Sequence, residues 1–269
     1  MLEYLLQLEE GLVHNKVCSS TLETLNDEVI NDVFATVHAN IVANLISYYM
    51  TKCCNSYLIS RFSELFIGEL IPMDIDVSDL DPNNIPFLCE ELHMRFLESQ
   101  LCFKSGTLYR KDSKVNSTQI GAVYTPDDVA HEIVYNTLNK LNSHRASDLK
   151  ILDFATGTGR FYRKVVNCLD FLYGVPPEKS VVNNIFAIDI DPVALNICRL
   201  YAMTFFSSLS LDKAKKVVPN IMLKNGLIKG NLFSEDTHLT INDFGGIFLG
   251  GFHAIVSNPP YLVLKPNKK

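Results

Sequence analysis

The sequence lacks the features of several protein classes. The 269 residues include no tryptophan, 24 lysines and arginines against 30 aspartates and glutamates, and seven cysteines. The net charge of −6 argues against a protein that simply coats nucleic acid, because counterion release requires a basic surface. No two cysteines form a Cys-x-x-Cys pair and their number is odd, which argues against a metal cluster or a disulfide framework. Reduced thiols and a cytoplasmic location are predicted.

Long apolar runs are also missing. The longest uncharged stretch, residues 33–51, contains His38, Asn40 and Asn44 and is too polar for the hydrocarbon core of a bilayer. The first ten residues carry three glutamates and no basic residue, so they do not resemble a secretory signal. Hydrophobic residues make up 47% of the sequence, which is typical of a globular protein. We predict no membrane partner.

The apolar spacing changes near residue 120. Before it, apolar residues recur at steps of three and four, as on one helix face, at Ile30, Phe34, Val37, Ile41, Leu45 and Tyr48. Residues 58–70 and 87–103 predict two more helices, and the stretch after them is polar. We therefore predict a helical domain over residues 1–104, a linker or loop over 105–119, and a second domain over 120–269.

The apolar pattern of the second domain predicts alternating strands and helices. Short apolar runs suited to buried strands lie at residues 151–154, 185–189, 221–223 and 253–256, and residues 160–173 and 192–209 predict helices. Short strands with helices between them indicate an α/β fold with a parallel sheet. Ligands of such sheets bind beyond the carboxyl ends of the strands.

Two turns at predicted strand ends suit a nucleoside. Gly157 and Gly159 follow the first strand, where missing Cβ atoms permit a tight turn and close backbone approach to a ligand. The glycines alone are equally compatible with a plain strand-to-helix turn. Asp189 ends the second strand and could hold ribose hydroxyls. Asp191 followed by Pro192 predicts a helix start.

A third turn is rich in proline. Asn258, Pro259, Pro260 and Tyr261 follow the last predicted strand. The prolines fix the backbone and leave bare carbonyl groups, while the asparagine adds an acceptor and the tyrosine a flat ring. Such an array suits a planar amino group, although a bare Pro-Pro pair usually marks only a turn.

In these motifs the sequence resembles the adenine-N6 DNA methyltransferases of bacterial restriction–modification systems, particularly type I modification subunits and type IIG enzymes. The matching segments, in the family's order, are 121–126 (GAVYTP), 151–161 (ILDFATGTGRF), 187–192 (AIDIDP), 230–233 (GNLF) and 258–261 (NPPY). The resemblance implies a helical N-terminal domain followed by an incomplete class I, Rossmann-like methyltransferase sheet.

The resemblance also implies a site. The cofactor would be S-adenosylmethionine, and no metal would be needed. Its binding residues would be Tyr124, Thr125, Pro126, Asp153, Ala155, Thr156, Gly157, Gly159, Asp189, Ile190, Asn231 and Leu232. Thr125 would also cap the following helix. Many relatives have Asp in place of Asn231, so the contact to the cofactor's adenine would be neutral here. The catalytic residues would be Asn258, Pro259, Pro260 and Tyr261.

The implied partner is double-stranded DNA with a flipped adenine, since the target amino group is stacked and paired inside the duplex. The 258–261 motif lies eight residues before the last residue, whereas such sheets have further strands after it. The expectation is an N-terminal fragment of a longer enzyme that binds the cofactor weakly and does not methylate DNA alone. A specificity subunit or the missing C-terminal part would complete it.

Two other interpretations stay open at the level of sequence. Protein-glutamine methyltransferases acting on release factors share a helical domain, the glycine loop and the Asn-Pro-Pro-Tyr motif; the Tyr-Thr-Pro segment favours the DNA enzymes. The chain could also be an inactive module that binds a cofactor and a partner. A possible nuclease remnant at Asp112 to Lys114 lies in polar sequence, and we predict no cleavage.

Overall fold

The structure is a computed structural model that describes residues 1–19, 26–54, 56–104, 107–113, 125–141, 144–224 and 251–259. The α-helices are α1 (Leu2–Ser19), α2 (Asp27–Tyr49), α3 (Phe62–Leu65), α4 (Ile85–Leu97), α5 (Asp127–Leu138), α6 (Arg160–Tyr173), α7 (Pro177–Asn183), α8 (Pro192–Thr204) and α9 (Leu211–Val217). The strands are β1 (Ser99–Lys104), β2 (Thr107–Asp112), β3 (Ile151–Asp153), β4 (Ile185–Asp189), β5 (Ile221–Leu223) and β6 (Ala254–Ile255).

Helix α2 is the centre of the N-terminal part. Its predicted apolar face is buried from Ile30 to Leu45, and only Tyr48 at its end stays partly exposed. Asn26 caps the helix by accepting a hydrogen bond from the Val29 amide at 2.9 Å. By length and composition alone, the helical stretch Asp27–Cys54 is apolar enough to cross a membrane. Ten side chains of α2 are buried inside the protein, which is the pattern of a core helix.

The end of the helical part differs from the prediction. The helix predicted over 87–103 ends at Leu97, and the chain turns into an antiparallel hairpin of β1 and β2. Residues 107–112 of the predicted linker are therefore a strand, while 114–119 lie outside the described residues. The hairpin is held by Arg110, whose guanidinium reaches Glu9 and Glu10 on α1 at 3.0 and 2.9 Å. These partners lie about 100 residues earlier in the chain. The local sequence therefore showed only a polar segment, which is typical of a loop.

The 58–70 segment also departs from its predicted continuous helix. A 3₁₀ turn (Ser56–Arg61) leads into the short α3, and the chain then extends. The backbone turns out of the helix at Phe66, whose extended conformation ends α3.

The predicted parallel sheet is confirmed. Its strand order is β5-β4-β3-β6, and every neighbouring pair is parallel. Helix α6 has the predicted bounds, because Gly159 and Gly174 adopt left-handed conformations at its two ends. Helix α8 begins at Pro192 as predicted and ends at Thr204, before the predicted residue 209.

Helix α8 joins the two predicted domains into one packed structure. Every residue from Ala194 to Met203 is buried. Leu195 and Cys198 belong to the core beside the sheet, whereas Ile197 and Leu200 belong to the core of the N-terminal helices. A helix that is buried on all sides is expected between two layers. The parts before and after residue 120 therefore share a core across α8.

Candidate functional site

The carboxyl ends of β3, β4 and β6 meet at one edge of the sheet. Asp153, Asp189 and Asn258 lie at or just after these ends. Three hydrogen bonds join the three turns: the Thr156 amide donates to the Ile188 carbonyl at 3.0 Å, the Gly157 amide to Asp189 at 2.7 Å, and the Ala155 amide to the Ser257 hydroxyl at 3.1 Å. The glycine loop thus contacts both neighbouring turns.

The glycine loop requires its glycines for two different reasons. Gly157 has a φ of +54°, and the space around it is open. Gly159 has a φ of +92°, and a Cβ there would lie 2.8 Å from the Sγ of Cys198 on α8. The first glycine therefore provides the turn, whereas the second also permits close packing of the loop on α8.

Asp153 is a buried carboxylate without a well-formed hydrogen bond to the described residues. The residue is 0% exposed, and neither carboxylate oxygen has a partner of good geometry. Burial raises its pKa to about 7, and the nearby hydroxyls of Ser257 and Thr156 offset only part of this effect. A buried acid in this state is suited to a cationic ligand group, which would restore its charge.

The second turn carries two acids with different surroundings. The Oδ2 of Asp189 accepts a hydrogen bond from the Gly157 amide at 2.7 Å, and its Oδ1 accepts one from the Asp191 amide at 3.0 Å. Burial nevertheless raises the pKa of Asp189. Asp191 caps α8 as predicted, since its Oδ1 accepts from the Val193 and Ala194 amides at 2.8 and 3.1 Å.

Thr125 does not have the predicted capping role. Helix α5 begins after Pro126 without a side-chain cap. The Thr125 hydroxyl instead accepts a hydrogen bond from the Nδ2 of Asn258 at 3.0 Å, and its carbonyl accepts one from Arg160 at 2.6 Å. The prediction of a cap was wrong because the competing partner is 133 residues away. The contact brings two separate sequence motifs together.

Other residues of the matching segments divide into three groups. Ile190 is 49% exposed beside Asp189, an unusual position for a large apolar side chain at this turn. Phe161 is buried and packs in the core beside the sheet, as an ordinary core residue does. Tyr124, Asn231, Leu232, Pro260 and Tyr261 lie outside the described residues, so their roles stay predictions. In the described part of the chain, no three His, Cys, Asp or Glu side chains form a metal-binding group.

Residues that the sequence did not indicate also hold the site. Ser257 contacts the glycine loop, and its position directly before Asn258 was the available signal. Glu90 and His93 of α4 reach the two turns after β3 and β4, at Thr158 and Asp191 respectively. Their spacing of three residues predicts only a shared helix face. No local pattern shows that this face is turned toward the sheet.

Two sequence comparisons support the resemblance. The Eco57I restriction-modification methylase family matches residues 183–269. The adenine-specific methyltransferase PglX of Streptomyces coelicolor is 28% identical over 194 residues, in an alignment that covers 60% of this chain and 16% of PglX. The predicted resemblance to adenine methyltransferases of restriction–modification systems is thus confirmed. The chain spans about a sixth of the length of that curated relative.

A chain of the DrdV–DNA complex, solved by electron cryomicroscopy, is similar over 82% of this chain and 22% of its own length. Its TM-score is 0.40 and its sequence identity is 14%.

Proposed function

We propose that this chain binds S-adenosylmethionine at the carboxyl ends of β3 and β4 and belongs to an enzyme that methylates the N6 amino group of adenine in DNA. The observation that carries the proposal is the convergence of three sequence-distant turns, those of Asp153, Asp189 and Asn258, at one edge of the sheet. A class I, Rossmann-like arrangement of the complete sheet is part of this proposal, as is a cytoplasmic location.

The described residues fit the cofactor. The carboxylate of Asp153, buried without a good hydrogen bond, is matched to the ammonium group of the methionine part. Asp189 retains lone pairs beyond the two amide contacts, and a carboxylate with about four acceptor sites can also accept ribose hydroxyls. The exposed side chain of Ile190 offers an apolar face to the adenine ring. When bound, S-adenosylmethionine supplies an electrophilic methyl group.

The Asn258 corner would hold the target amino group. Because the Nδ2 of Asn258 donates to Thr125, the amide is oriented by a neighbouring motif. Its Oδ1 and the Pro259 carbonyl would accept the two amino hydrogens of a flipped adenine. That would draw the nitrogen lone pair out of conjugation with the ring, and Tyr261 would stack on the base. Positioning and hydrogen bonding, without a covalent intermediate, would account for the rate.

The Thr125 contact favours a DNA substrate over a glutamine side chain. The Tyr-Thr-Pro segment is the sequence feature that favours the DNA enzymes over the glutamine enzymes. Its threonine accepts a hydrogen bond from Asn258 of the proposed catalytic motif. Duplex DNA with a flipped adenine is the proposed substrate. A specificity subunit or further protein segments would supply its basic contact surface, since this chain is acidic.

The test separates chemistry from cofactor binding. In the complete enzyme, Asn258→Ala should lower methyl transfer from labelled S-adenosylmethionine to unmethylated duplex DNA by about 100-fold or more, because it removes a preorganised acceptor. Cofactor affinity, measured by titration calorimetry, should stay unchanged. Asn136→Ala, on the exposed face of α5, is the matched control and should affect neither measurement. Wild-type methylation by Asn258→Ala would contradict the proposal.

A further inference from the structure

Helix α4 turns two ionisable side chains toward the sheet. Glu90 and His93 lie three residues apart on one face of the helix and are 3% and 1% exposed. Buried charges are costly unless they are paired, so each of these side chains needs partners. Each has one partner in the two turns that form the candidate cofactor site, Thr158 for Glu90 and Asp191 for His93.

Glu90 holds the glycine loop and the start of α6. Its Oε1 accepts hydrogen bonds from the Thr158 hydroxyl at 3.2 Å and from Arg160 at 3.0 Å. Arg163 donates to both carboxylate oxygens, at 3.1 and 2.9 Å, and Tyr201 donates to Oε2 at 2.9 Å. Burial disfavours the charged form, but Arg163 and the other partners hold the pKa of Glu90 below its usual value.

His93 holds the turn after β4. Its Nε2 lies 3.2 Å from the Oδ2 of Asp191, within ion-pair distance. The Oδ1 of Asp191 caps α8, and the backbone amide of Asp191 donates a hydrogen bond to Asp189 at 3.0 Å. Although burial opposes ionisation, His93 and the capped amides lower the pKa of Asp191 to about 2. A single buried carboxylate therefore links α4 to the proposed ribose-binding acid.

A second histidine lies behind the first. The Nε2 of His38 is 3.0 Å from the Nδ1 of His93, and the Nδ1 of His38 is 2.8 Å from the Oε1 of Glu9. The other oxygen of Glu9 contacts Arg110 at 3.0 Å. The His38 ring stacks on Phe96 with centroids 4.2 Å apart. These polar contacts thus run from the hairpin through the three helices α1, α2 and α4 to the start of α8.

We propose that Glu90 and His93 are positioning residues for the cofactor site, with Glu90 fixing the glycine loop and His93, backed by His38, fixing the Asp189–Asp191 turn. The proposal rests on the proposed function of that site. The N-terminal helices would then determine cofactor affinity through contacts at the back of both turns.

Two isosteric variants test the His93 contact. The amide of His93→Gln places a donor where Nε2 faces Asp191, whereas the amide of His93→Asn places one where Nδ1 faces His38. We expect His93→Asn to bind S-adenosylmethionine about tenfold more weakly, which corresponds to about 1.4 kcal/mol. His93→Gln should retain most of the affinity.

The Glu90 contact has its own matched control. Glu90→Gln should weaken binding by about tenfold, since a neutral amide cannot hold two guanidinium groups. Glu91→Gln makes the same change one residue away, at a carboxylate with no hydrogen bond or ion pair to the described residues, and should bind as the wild type does. Equal affinities for His93→Gln, His93→Asn and wild type, or for Glu90→Gln and wild type, would overturn the proposal.

A cofactor-free measurement separates this proposal from the proposed function. Hydrogen exchange of the Gly157, Asp191 and Val193 amides in the unliganded protein should accelerate in His93→Asn but not in His93→Gln. If His93→Asn does not fold, Asp191→Asn replaces it, because asparagine keeps the cap and loses the charge. Failure of wild-type protein to bind S-adenosylmethionine would refute the proposed function alone. Unchanged amide exchange in the folded variant would refute the positioning role alone.

Discussion

Two buried aspartates at neighbouring turns have opposite properties. Asp153 is 0% exposed with a pKa raised to about 7, and Asp191 is 8% exposed with a pKa lowered to about 2. Both lose hydration, but Asp191 also has two helix amides and His93 facing it, whereas Asp153 has no partner of good geometry among the described residues. Burial alone therefore does not determine charge. The partnered acid stabilises the structure, and the acid without a well-formed partner is the one that we propose binds the ligand.

Removal of the partnered acid should have the largest effect. Asp191→Ala removes the cap of α8 and leaves His93 facing no carboxylate, so we expect a loss of about 3–5 kcal/mol in the free energy of unfolding. Asp191→Asn keeps the cap and should lose clearly less. Urea unfolding of both variants measures the difference. Equal losses would mean that the cap contributes nothing beyond the contact with His93.

Removal of Asp153, the acid without a well-formed partner, should raise the free energy of unfolding instead of lowering it. A pKa of about 7 in place of 3.8 means that the folded protein binds this proton more tightly than the unfolded chain does. Stability is therefore lost as pH rises from about 4 to about 7. Asp153→Asn should raise the free energy of unfolding by about 2–4 kcal/mol near pH 8 and change it little near pH 4.

The same variant should lose affinity for S-adenosylmethionine, because the amide cannot form an ion pair with the cofactor's ammonium group. Urea unfolding at both pH values and titration calorimetry provide the two measurements. A variant that is less stable than wild type near pH 8 would show that Asp153 has a stabilising partner in the unliganded protein.

The smallest effect concerns the two glycines of the first turn. Gly159→Ala combines a positive φ with a Cβ that lies 2.8 Å from the Sγ of Cys198, so a loss of about 2–3 kcal/mol is expected. Gly157→Ala has open space and should lose about 1 kcal/mol. Thermal unfolding compares them. Adding Cys198→Ala should recover part of the first loss and none of the second; equal recovery would contradict the packing argument.

Local patterns predicted much of the region around the site. The bounds of α6 and β4, the start of α8 and the capping role of Asp191 depend on residues within a few positions of each other, so the sequence was sufficient for them. The hairpin of β1 and β2 was missed because Arg110 acts through Glu9 and Glu10, about 100 residues earlier. The role of Thr125 was wrong for the same reason, since its hydroxyl bonds Asn258 instead of the next helix.

The sequence by itself determined the parallel strands, the two turns with their glycines and acids, and the order of the motifs along the chain. These follow from periodicity, backbone conformational preferences and capping, which act over a few residues. Only the tertiary structure decided that Asp191 is ionised while Asp153 binds a proton near neutrality, and that Glu90 and His93 stand behind the two turns. Charge pairing and burial depend on side chains from distant elements, and packing across α8 brings those elements together.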